Sequence, residues 1–383
     1  MLILKVAKPQ NRIMGEANQE ESCWGMLVDC ESYGRHGDTK HDYKIISYED
    51  AKTQYKEHMH ASHGMLYAKN DFILWDLYST KAAILMQLRF DGLLGFPGGL
   101  VDPGEDPVTG LNREMHEEIA LDLNKHSFKD ENHSVTFLHE KKKLVLHFYI
   151  KEVTLEEFKG IEEKCPQAHE YGIETLGSFR PPLFTMGDNF RGFPAFLCNQ
   201  FAGNAREELL CGLVHTKLFT REEMEKAVEL ADNFKLNGNS DRQDIETEGE
   251  RWGNLAKYAS YGRHGDTKND FTIIPRQEAY TKYSDYEHVA HAMFYARDDR
   301  VLWYKQPARA AVLMQMRFDE RLGFPGGHVN NGEDTVTGLN RKMQEKIGLD
   351  ISRYGFTENN YVVTYIHDKK KFVLHFFCKG NIL

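Results

Sequence analysis

The chain has 383 residues, 41% hydrophobic and 28% charged, which is room for about two ordinary domains, each with its own core. Its formal net charge of −10 argues against a broad phosphate-binding DNA groove, so any nucleic-acid contact is expected to be local. Apolar runs such as AAILM at 82–86 are strand-sized and the opening MLILKVAKPQ lacks the apolar core of a secretory signal, so neither a membrane span nor export is expected.

Taken in chain order, strands are predicted near HGMLYAK (63–69), DFILWDL (71–77) and AILMQLRF (83–90), followed by a glycine-rich turn, GFPGG, at 95–99. A helix is predicted from about Asp106 to Ala120, then strands at SVTFLH (134–139) and LVLHFYI (144–150) joined by a charged KKK turn. Further helices are expected at TLEEFKGIEE (154–163) and from NAREELL (204–210), with PPLFTMGDNFRGFPAFLCNQF between them. Strands interleaved with few helices indicate an α/β or α+β sandwich with a mixed sheet. The six cysteines, Cys23, Cys30, Cys165, Cys198, Cys211 and Cys378, show no paired metal spacing and fit a reducing compartment.

The sequence then repeats itself. SYGRHGDTKHD at 32–42 returns as SYGRHGDTKND at 260–270, and LVLHFYIK at 144–151 returns as FVLHFFCK at 372–379, at one constant spacing. Trp24-Gly25 and Trp252-Gly253 keep the same spacing. The expected organisation is a first domain over 24–235, a polar linker over 236–251 and a second domain over 252–383 that lacks the first domain's C-terminal helices.

Starting at Gly99 the first copy reads G-LVDPG-E-DPVTGLN-RE-MH-EE-IAL. Glu114, Glu117 and Glu118 share one helix face, where like charges repel. The plain reading is a solvated acidic surface. The glycine-rich turn beside it, with Glu105 as a fourth carboxylate, points instead to a site for Mg²⁺ or Mn²⁺, two or three ions able to polarise a diphosphate. Arg113 is expected to orient glutamate rather than to do chemistry. In the second copy the frame persists around Gly327, Glu333, Arg341 and Glu345, but Lys342 and Lys346 replace Glu114 and Glu118. Ammonium groups there take the metal's place, so this copy is expected to be catalytically dead and folded around internal salt bridges.

The run from Gly99 resembles the Nudix box, departing from it only at Ala120, where the motif has glycine. AILMQLRFDGLLGFPGG, LVLHFYIKEVTLEE and the stretch from HEYGIETLGSFRPPLFT to FAGNAREELL resemble the small-nucleolar-RNA decapping branch of the Nudix hydrolases. That resemblance implies a nuclear, dimeric, Mg²⁺- or Mn²⁺-dependent enzyme acting on inosine and deoxyinosine diphosphates and on methylguanosine-capped RNA. A homodimer and a pseudo-dimer of the two copies are both compatible with it. It further implies a base site at His63, Arg89 and Phe96, and metal held by the Gly99 carbonyl, Glu114, Glu118 and His139. Nudix enzymes differ in which Glu or His activates the water, and Glu117, set between two metal-ligand glutamates, is the expected general base. Where the branch has a base-contacting Gln, this chain has Glu208, an acceptor suited to the N1 proton and 2-amino group of guanine-type bases. The bland alternative for Glu208 is a solvent-facing helix residue. The second copy keeps His291, Arg317, Phe324 and His367. Two rival readings are a non-catalytic RNA- or protein-binding scaffold, and a hydrolase of ADP-ribose or another dinucleotide.

Overall fold

In the long strand over Met59–Lys69, Met65 and Tyr67 point to one side and Leu66 and Ala68 to the other, and all four are buried. A strand covered on both faces is the centre of a layered sandwich. The computed structural model describes residues 42–237, 270–302, 306–317 and 322–380. Outside them lie Trp24-Gly25, Trp252-Gly253, both SYGRHGDTK segments, Cys23, Cys30 and the linker from residue 238 onward. The chain divides into two units, Met1–Asp232 and Asn233–Leu383.

In the first unit, β1 (Lys44–Ile46) leads through α1 (Tyr48–Thr53) into β2 (Met59–Lys69). A small hairpin, β3 (Ile73–Leu74) and β4 (Tyr78–Ser79), precedes β5 (Ala82–Ile84), β6 (Met86–Arg89), β7 (Leu94–Gly95) and β8 (Gly98–Leu100). Then come α2 (Pro107–Ile119), α3 (Leu123–His126), β9 (His133–His139), β10 (Leu144–Glu152), α4 (Leu155–Lys164) and β11 (Thr175–Phe179). The unit closes with α5 (Phe193–Phe196), α6 (Ala205–His215) and α7 (Arg221–Asn237). The main sheet runs β1-β9-β10-β2-β5, with β8 also on β2. Only the β10–β2 pairing is parallel, so the sheet is mixed, and β11-β6-β7 form a second, antiparallel sheet. The predicted strand over 83–90 is two strands broken at Leu85, and DFILWDL supplies only the two residues of β3.

Two cores lie on opposite faces of the main sheet. One packs Met65, Ile84, Met86, Phe148 and Ile150 against Phe193, Phe196, Leu209 and Leu213 of the C-terminal helices. The other packs Leu66, Leu85 and Tyr149 against Leu111, Met115 and Ile119 of α2 and Phe158 and Ile161 of α4.

The second unit repeats the order with β12 (Thr272–Ile274), α8 (Arg276–Thr281), β13 (Glu287–Leu302), β14 (Gln306–Leu313), β15 (Gln315–Met316), β16 (Leu322–Gly323) and β17 (Gly326–His328). There follow α9 (Thr335–Ile347), α10 (Ile351–Tyr354), β18 (Tyr361–His367) and β19 (Phe372–Gly380), in a sheet ordered β12-β18-β19-β13-β14 with β17 on β13. The α9-side core is present, with Ala292, Phe294, Leu339, Met343 and Phe377 buried together. The opposite face differs: Val312 and Met314 are 45% and 42% exposed, while Ile84 and Met86 at the matching positions are both at 0%. No helix of the described residues is long and apolar enough to cross a membrane.

Candidate active site

The site grows from β8 and α2. At Gly98, φ is +136° and a Cβ would lie 2.1 Å from the Ser62 carbonyl oxygen, so only glycine allows β8 to pair this closely with β2. At Gly99 a Cβ would meet the Glu114 carboxylate at 2.9 Å, so the missing side chain is the space that Glu114 fills. Asp106 caps α2 by accepting from the Val108 and Thr109 amides, and Pro107 sits in its first turn. The helix ends at Ala120, held left-handed at φ 52°.

Arg113 ties this frame together. Its Nη1 donates to Glu114 Oε1 at 2.6 Å and to Glu117 Oε2 at 3.2 Å, while Nη2 donates to the Leu100 carbonyl and to Glu105 Oε2. Glu105 also accepts from the Asp102 amide. It braces the loop and, contrary to the expectation of a fourth carboxylate in the cluster, lies outside the two groups of converging carboxylates. Glu118 is 3% exposed and accepts from the Gly98 amide at 2.8 Å and from Gln87 Nε2 at 2.9 Å.

Two glutamates not foreseen from the sequence complete the cluster. Glu170 and Glu174 lie in the loop before β11, and the Glu170 amide is anchored to the Glu117 carbonyl. Carboxylate oxygens of Glu114, Glu117 and Glu170 lie within 4.8 Å of one another, as do those of Glu118, Glu170 and Glu174. Burial and the neighbouring carboxylates raise these groups together. Glu114 is pushed up to about 7, Glu170 to about 8 and Glu174 to about 9, and burial also raises Glu118. Glu170 Oε2 is buried with no hydrogen-bond partner. An all-oxygen donor set, crowded and under-neutralised, fits a hard divalent cation.

His139 belongs to neither group. Its Nδ1 accepts from the Lys142 amide, and its ring stands edge-on to Tyr43. It lies opposite Leu144, which pairs with Met59, four residues and about 13 Å along β2 from His63. His367 accepts from the Lys370 amide in the same way, so the shared histidine closes the hairpin turn in both units. Phe96 is also relocated: it is 2% exposed and packs on Phe148 in the core, so it presents no open stacking face.

His63 sits on β2 opposite Gly98, and its Nδ1 meets Glu208 Oε1 at 2.9 Å. Burial acts to lower its pKa, but the Glu208 charge and hydrogen bond outweigh burial and raise it. Glu208 is 0% exposed, which overturns the solvent-facing alternative. Its Oε2 is buried without a partner, as are both polar side-chain atoms of Asn204 one turn earlier. Arg89 is held by Asp91, with its stem against Gly95.

In the second unit, Arg341 bridges Glu333, Glu345 and the His328 carbonyl, and Lys342 Nζ bonds Glu345 at 2.6 Å. The Arg341 contacts repeat those of Arg113, and the Lys342–Glu345 pair is the one here that a lysine substitution introduces. No metal-capable group of three occurs there among the described residues.

A glycine-rich loop backing an all-carboxylate helix face in a mixed sandwich defines a Nudix hydrolase, an enzyme class acting on phosphoanhydride bonds. A family model described as Nudt16-like, U8 snoRNA-decapping enzyme-like, matches residues 60–219 and 288–382, and the chain belongs to that family. It is 50% identical over 175 residues to the U8 snoRNA-decapping enzyme of Homalodisca vitripennis, covering 45% of this chain and 93% of that protein. The Mus musculus U8 snoRNA-decapping enzyme is 41% identical over 160 residues, covering 42% of this chain and 82% of its own length. The Tudor-interacting repair regulator protein of Homo sapiens is 36% identical over 177 residues, covering 45% and 81%. Among solved structures, a mutT/nudix family protein from Listeria innocua aligns at 15% identity and TM-score 0.29, covering 42% of this chain and 98% of that one.

Proposed function

We propose that the first unit is a divalent-metal-dependent hydrolase that cleaves the diphosphate linkage of inosine-type nucleoside diphosphates and of methylguanosine-capped RNA, and that the second unit is its non-catalytic partner. The observation that carries this is the set of five glutamates, from α2 and the loop before β11, whose oxygens converge within two overlapping groups. Glu114, Glu118, Glu170 and Glu174 would hold Mg²⁺ or Mn²⁺, with the Gly99 carbonyl beside them. When bound, the metal supplies Lewis acidity and a more acidic water.

The chain's own residues do the rest. Arg113 holds Glu114 and Glu117 in place, and Glu117, the most exposed of the α2 carboxylates, is the group to accept a proton from the attacking water. His63 and Glu208 meet the base. Glu208 Oε2 and the Asn204 amide are buried polar atoms without partners, an arrangement that loses free energy until a ligand satisfies it. Such a set favours hypoxanthine or guanine, which offer an N1 proton, over adenine, which does not. The nuclear location and the pseudo-dimer form part of the same proposal.

The test is nucleotide release from inosine diphosphate and from capped RNA in Mn²⁺, by the full chain and by Glu118→Gln. The variant is expected to lose about 100-fold or more of the turnover. Turnover by neither protein would leave a binding scaffold.

A further inference from the structure

Glu118 is buried, and a buried carboxylate serves a metal only if one oxygen is left free and the group is held in one direction. Its two oxygens are held differently. Oε2 accepts from the Gly98 amide at 2.8 Å and from Gln87 Nε2 at 2.9 Å. Among the described residues Oε1 meets a single donor, the Thr175 hydroxyl, at 3.5 Å. That hydroxyl has one proton, and Gln87 Oε1 lies closer to it, at 3.1 Å. The proton therefore goes to Gln87. This fixes the glutamine amide with its oxygen toward Thr175 and its nitrogen toward Glu118, since the reverse orientation would set an amide oxygen against a carboxylate.

The two residues come from distant parts of the chain. Gln87 is the second residue of β6 and Thr175 the first of β11, and both are 0% exposed. A buried amide has lost its water and needs partners, a demand that an apolar side chain in the same place would not make. Thr175 also ends the loop that carries Glu170 and Glu174. That loop is fastened to α2 by the Glu170 amide on the Glu117 carbonyl at 3.0 Å, and to the chain after β6 by the Phe90 amide on the Glu174 carbonyl at 2.8 Å. A buried line of hydrogen bonds, Thr175 to Gln87 to Glu118, thus runs from the glutamate loop across β6 to α2.

We propose that Gln87 and Thr175 are positioning residues for the divalent ion. Gln87 holds Oε2 of Glu118, which leaves Oε1 as the oxygen offered together with Glu170 and Glu174, and Thr175 keeps the Gln87 amide turned the right way. This rests on the reading that the first unit holds a metal at these glutamates. Neither residue touches the ion or the nucleotide; both act through Glu118. Without Gln87 the carboxylate keeps the Gly98 amide as its one strong donor and is free to rotate, so the ion must order a ligand that the parent chain presents already ordered.

The test is Mn²⁺ titration of the full chain followed by electron paramagnetic resonance, which reads free Mn²⁺ directly and needs no turnover. Gln87→Met keeps the length of the side chain and removes the amide, and is expected to weaken Mn²⁺ binding by about 10-fold or more. Thr175→Val removes the hydroxyl at nearly constant shape and is expected to weaken it by about 3- to 10-fold. Thr175→Ser keeps the hydroxyl and is expected to bind as the parent does. Thermal melts in EDTA accompany each titration, because a merely structural role would lower the melting temperature and leave the Mn²⁺ affinity of the folded protein unchanged. Parent-like affinity in a folded Gln87→Met overturns the proposal. Should that variant not fold, parent-like affinity in Thr175→Val, or equal losses in Thr175→Val and Thr175→Ser, overturns it instead. A parent chain that binds no Mn²⁺ overturns the metal reading of the first unit and this proposal with it, whereas a parent that binds it and variants that match the parent overturn the positioning role alone.

Discussion

His63 and His291 occupy the same strand position in two copies of one fold, and their titration moves in opposite directions. His63 is raised because Glu208 reaches it from α6, and Glu118 adds a smaller push. His291 is lowered to about 3 because burial acts on it together with Arg317, Lys346 and His328. The backbone scaffold is shared, with β8 and β17 paired to β2 and β13 in the same way. What differs is the sign of two helix residues. A duplicated fold thus keeps its geometry through backbone pairing and glycine packing, while its chemistry changes with a few side chains.

The largest consequence of this comparison concerns Met86, buried in the first unit, and Met314, exposed at the matching position. Met86→Ala is expected to cost about 2–5 kcal/mol, because the C-terminal helices pack over Met86, while Met314→Ala should stay within about 0.5 kcal/mol. Denaturant unfolding of each variant measures this, and equal costs would break the comparison.

Next come the two glutamates that join the cluster from the loop before β11. Glu170→Gln and Glu174→Gln should each lower Mn²⁺-dependent turnover by about 10- to 100-fold without unfolding the protein, since they relieve like-charge crowding. Steady-state kinetics with a thermal melt checks both halves.

The same crowding sets a pH dependence. Glu114, Glu170 and Glu174 have folded pKa values of about 7, 8 and 9, above the usual carboxylate value of 4.5. The folded state therefore holds protons that the unfolded chain has released. This contribution is full below the unfolded pKa and is lost as pH rises through the folded values. In EDTA the melting temperature is expected to fall from pH 6 to pH 9, over the window those pKa values define. Mn²⁺ should oppose the fall, with an increment that grows with pH. A flat profile in EDTA would contradict the crowding.

The smallest effect lies at the helix ends. Ala120 and Gly348 terminate α2 and α9 in the same left-handed conformation, at φ 52° and 62°. Ala120→Gly should stabilise the first unit by about 1 kcal/mol, and Gly348→Ala should destabilise the second by a similar amount. Differential scanning calorimetry of the two variants checks both signs.

Much of this protein was legible in one dimension. The helix face of Glu114, Glu117 and Glu118, the bracing role of Arg113, the glycine-rich turn and the lysine substitutions all follow from short-range spacing, because a helix brings residues three and four apart together wherever it sits. The duplication is equally a property of the string. Glu170 and Glu174 were hidden, since HEYGIETLG carries no periodicity that separates a ligand loop from a surface turn, although its two glutamates four residues apart were a faint signal. Glu105, Phe96 and His139 were assigned by their place in a motif, and each was claimed by a nearer neighbour: the Arg113 guanidinium, the Phe148 ring and the Lys142 amide.

The sequence by itself determined the two copies, the metal-suited helix face and the loss of that face in the second copy. Only the tertiary structure decided which distant side chains meet. The Glu170–Glu118 and Glu208–His63 encounters join residues 52 and 145 positions apart, brought together by sheet pairing and by helices packed over a buried face. Local spacing carries no record of such contacts, because their driving force is burial of apolar surface elsewhere in the unit.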